Sequence, residues 1–170
     1  MGLSNEYRRR VLGFDPGTAT TGYGVVEVSG GEYRMLAGGV IRTAPGQAMV
    51  TRLLGIHRKA EELIRTHAPD RVAVESIFPN RNVTQAVALG QARGVLLLAA
   101  GGMGLPVREY TPQEVKQAVT GYGAAGKGQV QRMVAGLLGL AEVPRPDDAA
   151  DALAVAICSL QRAAMEEVVS

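Results

Sequence analysis

Val11-Leu12-Gly13-Phe14-Asp15-Pro16-Gly17-Thr18 is a short apolar run that ends in a carboxylate and then breaks. The run reads as a strand, and Asp-Pro-Gly is a strong turn sequence. Gly17 permits close backbone approach after the acid. Taken alone, Asp15 fits a turn-initiating residue as well as a functional one. Its meaning comes from the rest of the chain. Glu75 ends a second apolar run, Val72-Ala73-Val74, too apolar for a solvated edge. Asp148 and Asp151 open the final helix at spacing i, i+3, which puts them on one helical face. Asp is also favoured in a first helical turn for reasons of capping alone, a role that suits Asp147. Converging carboxylates repel unless a cation lies between them. Hard divalent cations take oxygen ligands, and a pair of them suits phosphodiester displacement.

Working outward, Thr21 to Ser29 and Glu32 to Thr43 read as strands joined at Ser29-Gly30-Gly31, a hairpin signal. Met49, Leu53, Ile56, Ala60, Leu63 and Ile64 recur at helical spacing over 49–67. Arg71 to Glu75 is a short buried strand. Residues 83–103 form a helix apolar on all faces, which predicts complete burial and, in a chain this short, a homodimer interface. Leu105 to Glu109 reads as a fifth strand. Thr111 caps a helix to about Thr120, with Pro112 in its first turn. The loop 121–126 is glycine-rich and expected to be mobile. Two further helices flank the break at Pro144-Arg145-Pro146. Three meandering strands, then strands alternating with helices, predict an α/β fold with a mixed sheet flanked by helices.

A chain of 170 residues suits a single domain, here residues 10–165 after a loose polar extension, 1–9. The hydrophobic content of 46% excludes general disorder. The longest uninterrupted apolar stretch, Gly94 to Met103, is shorter than the roughly 18 residues that span a bilayer. With no signal-peptide core at the N-terminus and a single cysteine, Cys158, the expected location is cytoplasmic. The net charge is +2, but with the four named acids neutralised 18 bases face 12 acids. Only three of the 18 are Lys, so 15 are Arg, a residue suited to bidentate phosphate contacts.

Lys116 and Lys127 bracket the glycine loop, with Arg132 further along, and read as phosphate contacts. Phe78, beyond Glu75, suits either stacking on an unpaired base or ordinary packing at the strand end. Two patterns are decoys. Gly121 to Lys127 matches the start of a P-loop, but Gly128 stands where a magnesium-binding Ser or Thr belongs. Asp15-Pro16-Gly17-Thr18 resembles the phosphate loop of the actin, Hsp70 and sugar-kinase superfamily, whose members carry a second copy on a duplicated domain where this chain has one.

The chain resembles the RuvC family of Holliday-junction resolvases over about residues 10–160. The carriers are Leu12 to Thr18 with Thr21-Gly22-Tyr23-Gly24, and Val74-Glu75-Ser76-Ile77-Phe78. Ala88 to Gly94, Glu114-Val115-Lys116-Gln117, Lys127-Gly128-Gln129-Val130 and Asp148 to Ala154 complete them. The resemblance implies an RNase H-like fold with a five-stranded sheet. It implies a homodimer, joined through helix 83–103, that cuts a four-way DNA junction symmetrically and leaves 5′-phosphate and 3′-hydroxyl ends. The family's metal acids fall on Asp15, Glu75, Asp148 and Asp151, which implies two Mg²⁺ or Mn²⁺ ions. Its stacking aromatic falls on Phe78, two of its DNA-contacting lysines on Lys116 and Lys127, and its partners are RuvA and RuvB. Ser76 and the extra acid Asp147 depart from the pattern. Two rivals stand beside this reading: an RNase H-like nuclease acting on hybrids or flaps, and a non-catalytic junction-binding module.

Overall fold

The computed structural model describes residues 8–76 and 82–169. Five strands form one sheet: β1 (Arg9–Asp15), β2 (Thr20–Ser29), β3 (Glu32–Arg42), β4 (Arg71–Glu75) and β5 (Val107–Tyr110). The five helices are α1 (Met49–His67), α2 (Val83–Gly102), α3 (Pro112–Thr120), α4 (Lys127–Leu137) and α5 (Asp147–Val169). The strand order is β3-β2-β1-β4-β5. β1, β2 and β3 run antiparallel as a meander, and β4 and β5 join parallel to β1.

Each strand alternates its side chains between two cores, as the pleat requires. Leu12, Phe14, Val25, Val72 and Val74 point to the layer of α1 and α2. Val11, Val26 and Ala73 point to the layer of α3, α4 and α5. Residues 149–160 of α5 are almost all buried, so this helix is the spine of the second layer. It lies close to the sheet because the sheet offers glycine beneath it. A Cβ on Gly13 would meet the Ala152 carbonyl oxygen at 2.3 Å, and one on Gly22 would meet the Asp148 carbonyl oxygen at 2.0 Å.

Three expectations need correction. β1 begins at Arg9, inside the segment assigned to a loose extension; Arg9 forms an ion pair with Glu167 of α5. The fifth strand is shorter than expected and shifted, Val107–Tyr110, because Leu105 is spent closing the end of α2 through its N–H to Ala100 O at 3.1 Å. Helix α2 is not wholly buried. Ala92, Leu96, Ala99 and Ala100 face α1 and the sheet, whereas Val83, Val87 and Leu98 are exposed. At 20 residues and a mean hydropathy of 1.3, α2 is also long and apolar enough to cross a membrane by length and composition, which counting only uninterrupted apolar residues had missed.

Candidate metal centre and nucleic-acid cleft

The sheet pairing assembles the acids. Parallel register places Phe14 beside Val74, so Asp15 and Glu75, each one residue further, end their strands side by side. Asp15 shares the alternation of Val11 and Gly13, and Glu75 that of Ala73, so both carboxylates face α5. On the other side Asp15 pairs with Gly22, over which the first turn of α5 lies. That turn supplies Asp148 and Asp151. Carboxylate oxygens of Asp15, Asp148 and Asp151 lie within 4.8 Å of one another. Glu75 joins them by accepting a hydrogen bond from the protonated Asp15. The cluster sits at the carboxyl ends of β1 and β4, the usual place for a ligand site in a sheet of this kind.

The turn after Asp15 is locked locally. Thr21, fully buried, donates its hydroxyl to the Gly17 carbonyl at 2.6 Å. A Cβ on Gly17 would meet the Thr20 carbonyl oxygen at 2.1 Å, so only glycine allows the chain to reverse this tightly.

The electrostatics of the cluster suit a cation. Burial, then the negative charge of Glu75, push the Asp15 carboxyl up to about 9. Burial likewise raises Glu75 and Asp151, with Lys127 opposing the rise at both and Lys116 at Glu75. Carboxylates so strained toward protonation are relieved by a cation, and an all-oxygen donor set suits a hard divalent ion. Asp147, the extra acid, turns elsewhere: it meets Arg145 at 2.6 Å and Lys127 at 3.5 Å. Of the pair, it is Asp148 that enters the cluster.

The two lysines face the same cavity. Thr111 and Glu114 form a reciprocal capping box that fixes the start of α3 and hence Lys116 one turn on. Lys127 is the first residue of α4, 3.6 Å from Asp151. Glu75, Lys116, Lys127 and Asp151 line a cavity of about 230 Å³, floored by Pro112, Val115, Val130 and Ala154. Arg132 is exposed on α4, its guanidinium alongside Gly128, outside that lining. Phe78 lies outside the described residues. Much of the arginine excess serves the fold: Arg8, Arg10 and Arg34 surround the buried Glu27, and Arg93 grips Glu109 with two bonds. One residue passed over in the sequence belongs to this rim. Tyr122, in the loop between α3 and α4, is 61% exposed beside Lys116. An aromatic between two lysines in a glycine-rich loop was the available signal.

A mixed five-stranded sheet with carboxylates gathered on its central strands and on the helix across them defines a nuclease of the RNase H-like class. Among such proteins this chain belongs to the RuvC family: the family model described as crossover junction endodeoxyribonuclease RuvC matches residues 11–159. The crossover junction endodeoxyribonuclease RuvC of Moorella thermoacetica is 58% identical over 148 residues, 87% of this chain and 89% of that protein. Its counterpart in Pelotomaculum thermopropionicum is 55% identical, over 87% of this chain and 90% of that protein. The structure of Thermus thermophilus RuvC in complex with a Holliday junction substrate superposes with a TM-score of 0.89 at 42% identity, covering 93% of this chain and 96% of that one.

Proposed function

We propose that this chain is a crossover junction endodeoxyribonuclease that resolves four-way DNA junctions by paired, symmetric nicks in recombination and repair. The observation that carries the reading is the convergence of Asp15, Glu75, Asp148 and Asp151 on one face of the sheet, with Lys116 and Lys127 on the rim. A pure binding module gains nothing from acids that repel phosphate. The four acids are the ligands of two Mg²⁺ or Mn²⁺ ions, which when bound supply an activated water and stabilise the leaving 3′-oxygen.

The remaining roles belong to the chain's own groups. Asp15, on the central strand β1 and against both Glu75 and the α5 acids, ties the two halves of the ligand set together. Lys116 and Lys127 hold phosphates of the cut strand in register, and Arg132 contacts the backbone further out. Lys127 pairs with Asp151, and would be free to meet phosphate were that acid to hold a cation. Phe78 stacks on an unpaired base near the crossover. The nuclease domain runs from β1, which starts at Arg9, through α5, which ends at Val169. The exposed apolar residues Val83, Val87 and Leu98 follow one stripe along α2, and Val50 and Leu54 are exposed on the neighbouring α1. An apolar stripe of this kind is completed by a second copy of the chain, and two sites held apart are what paired cuts need. The homodimer works in the cytoplasm with the branch-migration proteins RuvA and RuvB.

The test is cleavage of an end-labelled mobile four-way junction in EDTA, Mg²⁺ or Mn²⁺, with linear duplex and RNA–DNA hybrid as controls. Paired nicks at the junction that ligase reseals are expected with either metal and not with EDTA. Asp15→Asn is expected to abolish cutting and keep or improve junction binding, since it removes a metal ligand and leaves the lysine rim intact. Cutting of the hybrid in preference to the junction would overturn the substrate.

A further inference from the structure

The loop 121–126 is not the mobile connection that its glycine content suggests. Gly121, at φ 79°, ends α3 and returns its N–H to the Gln117 carbonyl at 2.9 Å. The Gln117 side-chain amide donates to the Gly121 carbonyl at 2.9 Å. The Thr120 hydroxyl donates to the Lys116 carbonyl at 2.8 Å and accepts from the Tyr122 N–H at 3.1 Å. The Tyr122 carbonyl accepts from Ala125 N–H at 3.1 Å, and Ala125 is buried. The backbone of Tyr122 is therefore pinned on both sides while its ring stands 61% exposed. An aromatic ring held in water by a braced loop wastes apolar surface unless something covers it.

The surroundings say what does. Tyr122 lines an open groove of about 600 Å³ with Pro112, Gln113, Lys116 and Gln117. Pro112 and Lys116 also line the cavity that holds Glu75, Asp151 and Lys127, so groove and metal cleft meet at Lys116. A phosphodiester held by Lys116 directs the adjoining nucleotide along this groove. There it meets a π-face flanked by two side-chain amides able to bond a base edge. We propose that Tyr122 is a nucleotide-stacking residue, covering the nucleotide next to the phosphate held by Lys116. It forms a second aromatic contact, distinct from the one assigned to Phe78. This rests on the junction-cutting function proposed above.

The chain contains no Trp, so Tyr122→Trp installs the only indole and makes the contact directly visible. In EDTA, titration of this variant with an unlabelled four-way junction is expected to quench or shift the indole emission. The midpoint should equal that from anisotropy of a labelled junction. Tyr122→Ala is expected to weaken junction binding about tenfold, within the range seen for losing one base-stacking aromatic. Tyr122→Phe, which keeps the ring, should bind and cut like the wild type. Junction binding with unchanged indole emission and an unweakened Tyr122→Ala would overturn the stacking role and leave the function intact. If the wild-type protein fails to bind the junction, the function falls and this contact falls with it.

Discussion

Asp15 is buried against three other acids, and this has a cost that the metal-free protein bears. Its carboxyl is pushed up to about 9 by burial, then by Glu75. The metal-free fold therefore prefers the protonated form, while the unfolded chain ionises near pH 4. The stabilisation linked to that proton is full below the unfolded pKa and is lost as pH rises through the folded one. Asn mimics the protonated acid. Asp15→Asn should leave the melting temperature in EDTA nearly unchanged at pH 4. At pH 8 it should raise it by at least ~2–4 °C, the shift given by about 1 kcal/mol in a domain of this size. Thermal unfolding at the two pH values checks this, and equal melting temperatures of variant and wild type at pH 8 would sink it. Mg²⁺ should stabilise the wild type and not the variant. At this scale the sequence was informative, because an acid closing an apolar run is conspicuous. Tyr122 was legible only as an aromatic between two lysines, because nothing in a glycine-rich loop announces that Thr120 and Gln117 will brace it.

Helix α5 shows how an element can build a core and a site together. Its buried stretch fills the space under the sheet, and its first turn delivers Asp148 and Asp151 to Asp15. What sets its depth is backbone contact over Gly13 and Gly22. Gly22→Ala drives a methyl into the Asp148 carbonyl and displaces the turn that carries two of the proposed ligands. The expected result is a folded protein, destabilised by about 1–3 kcal/mol, whose cleavage rate drops about 100-fold, as an ångström of misplacement can cause. Circular dichroism and junction-cleavage rates measure the two effects; a Gly22→Ala enzyme that cuts at the wild-type rate would refute this account of α5. The strand and helix order was legible from periodicity and turn residues. The face on which Asp15 and Glu75 lie was not, because a strand buried on both sides reads as one continuous apolar run and hides its alternation. The true start of the fifth strand was hidden too, since Leu105 and Pro106 look as strand-like as Val107.

On the scale of the whole molecule, the open question in the sequence was α2. Its all-round apolar character suggested burial, yet one chain covers only the face bearing Ala92, Leu96, Ala99 and Ala100. The packing of one chain does not show what covers the other face, which the proposal assigns to a second copy. Val87→Glu with Leu98→Glu places charge on the exposed stripe without touching the core of the subunit. Light scattering coupled to size exclusion should show a monomer where the wild type is a dimer. Any remaining cleavage should leave single, unpaired nicks. A dimer of unchanged mass would mean that another surface joins the subunits. The same helix has a consequence for the life of the protein in the cell. If the proposed homodimer forms, each subunit before pairing carries a segment of membrane-spanning length and hydropathy of which only 22% is buried. An exposed apolar segment of this kind is a target for lipid, chaperones and proteases. In the proposed dimer, subunit supply would then govern not only how many junctions are cut but how much protein survives to cut them.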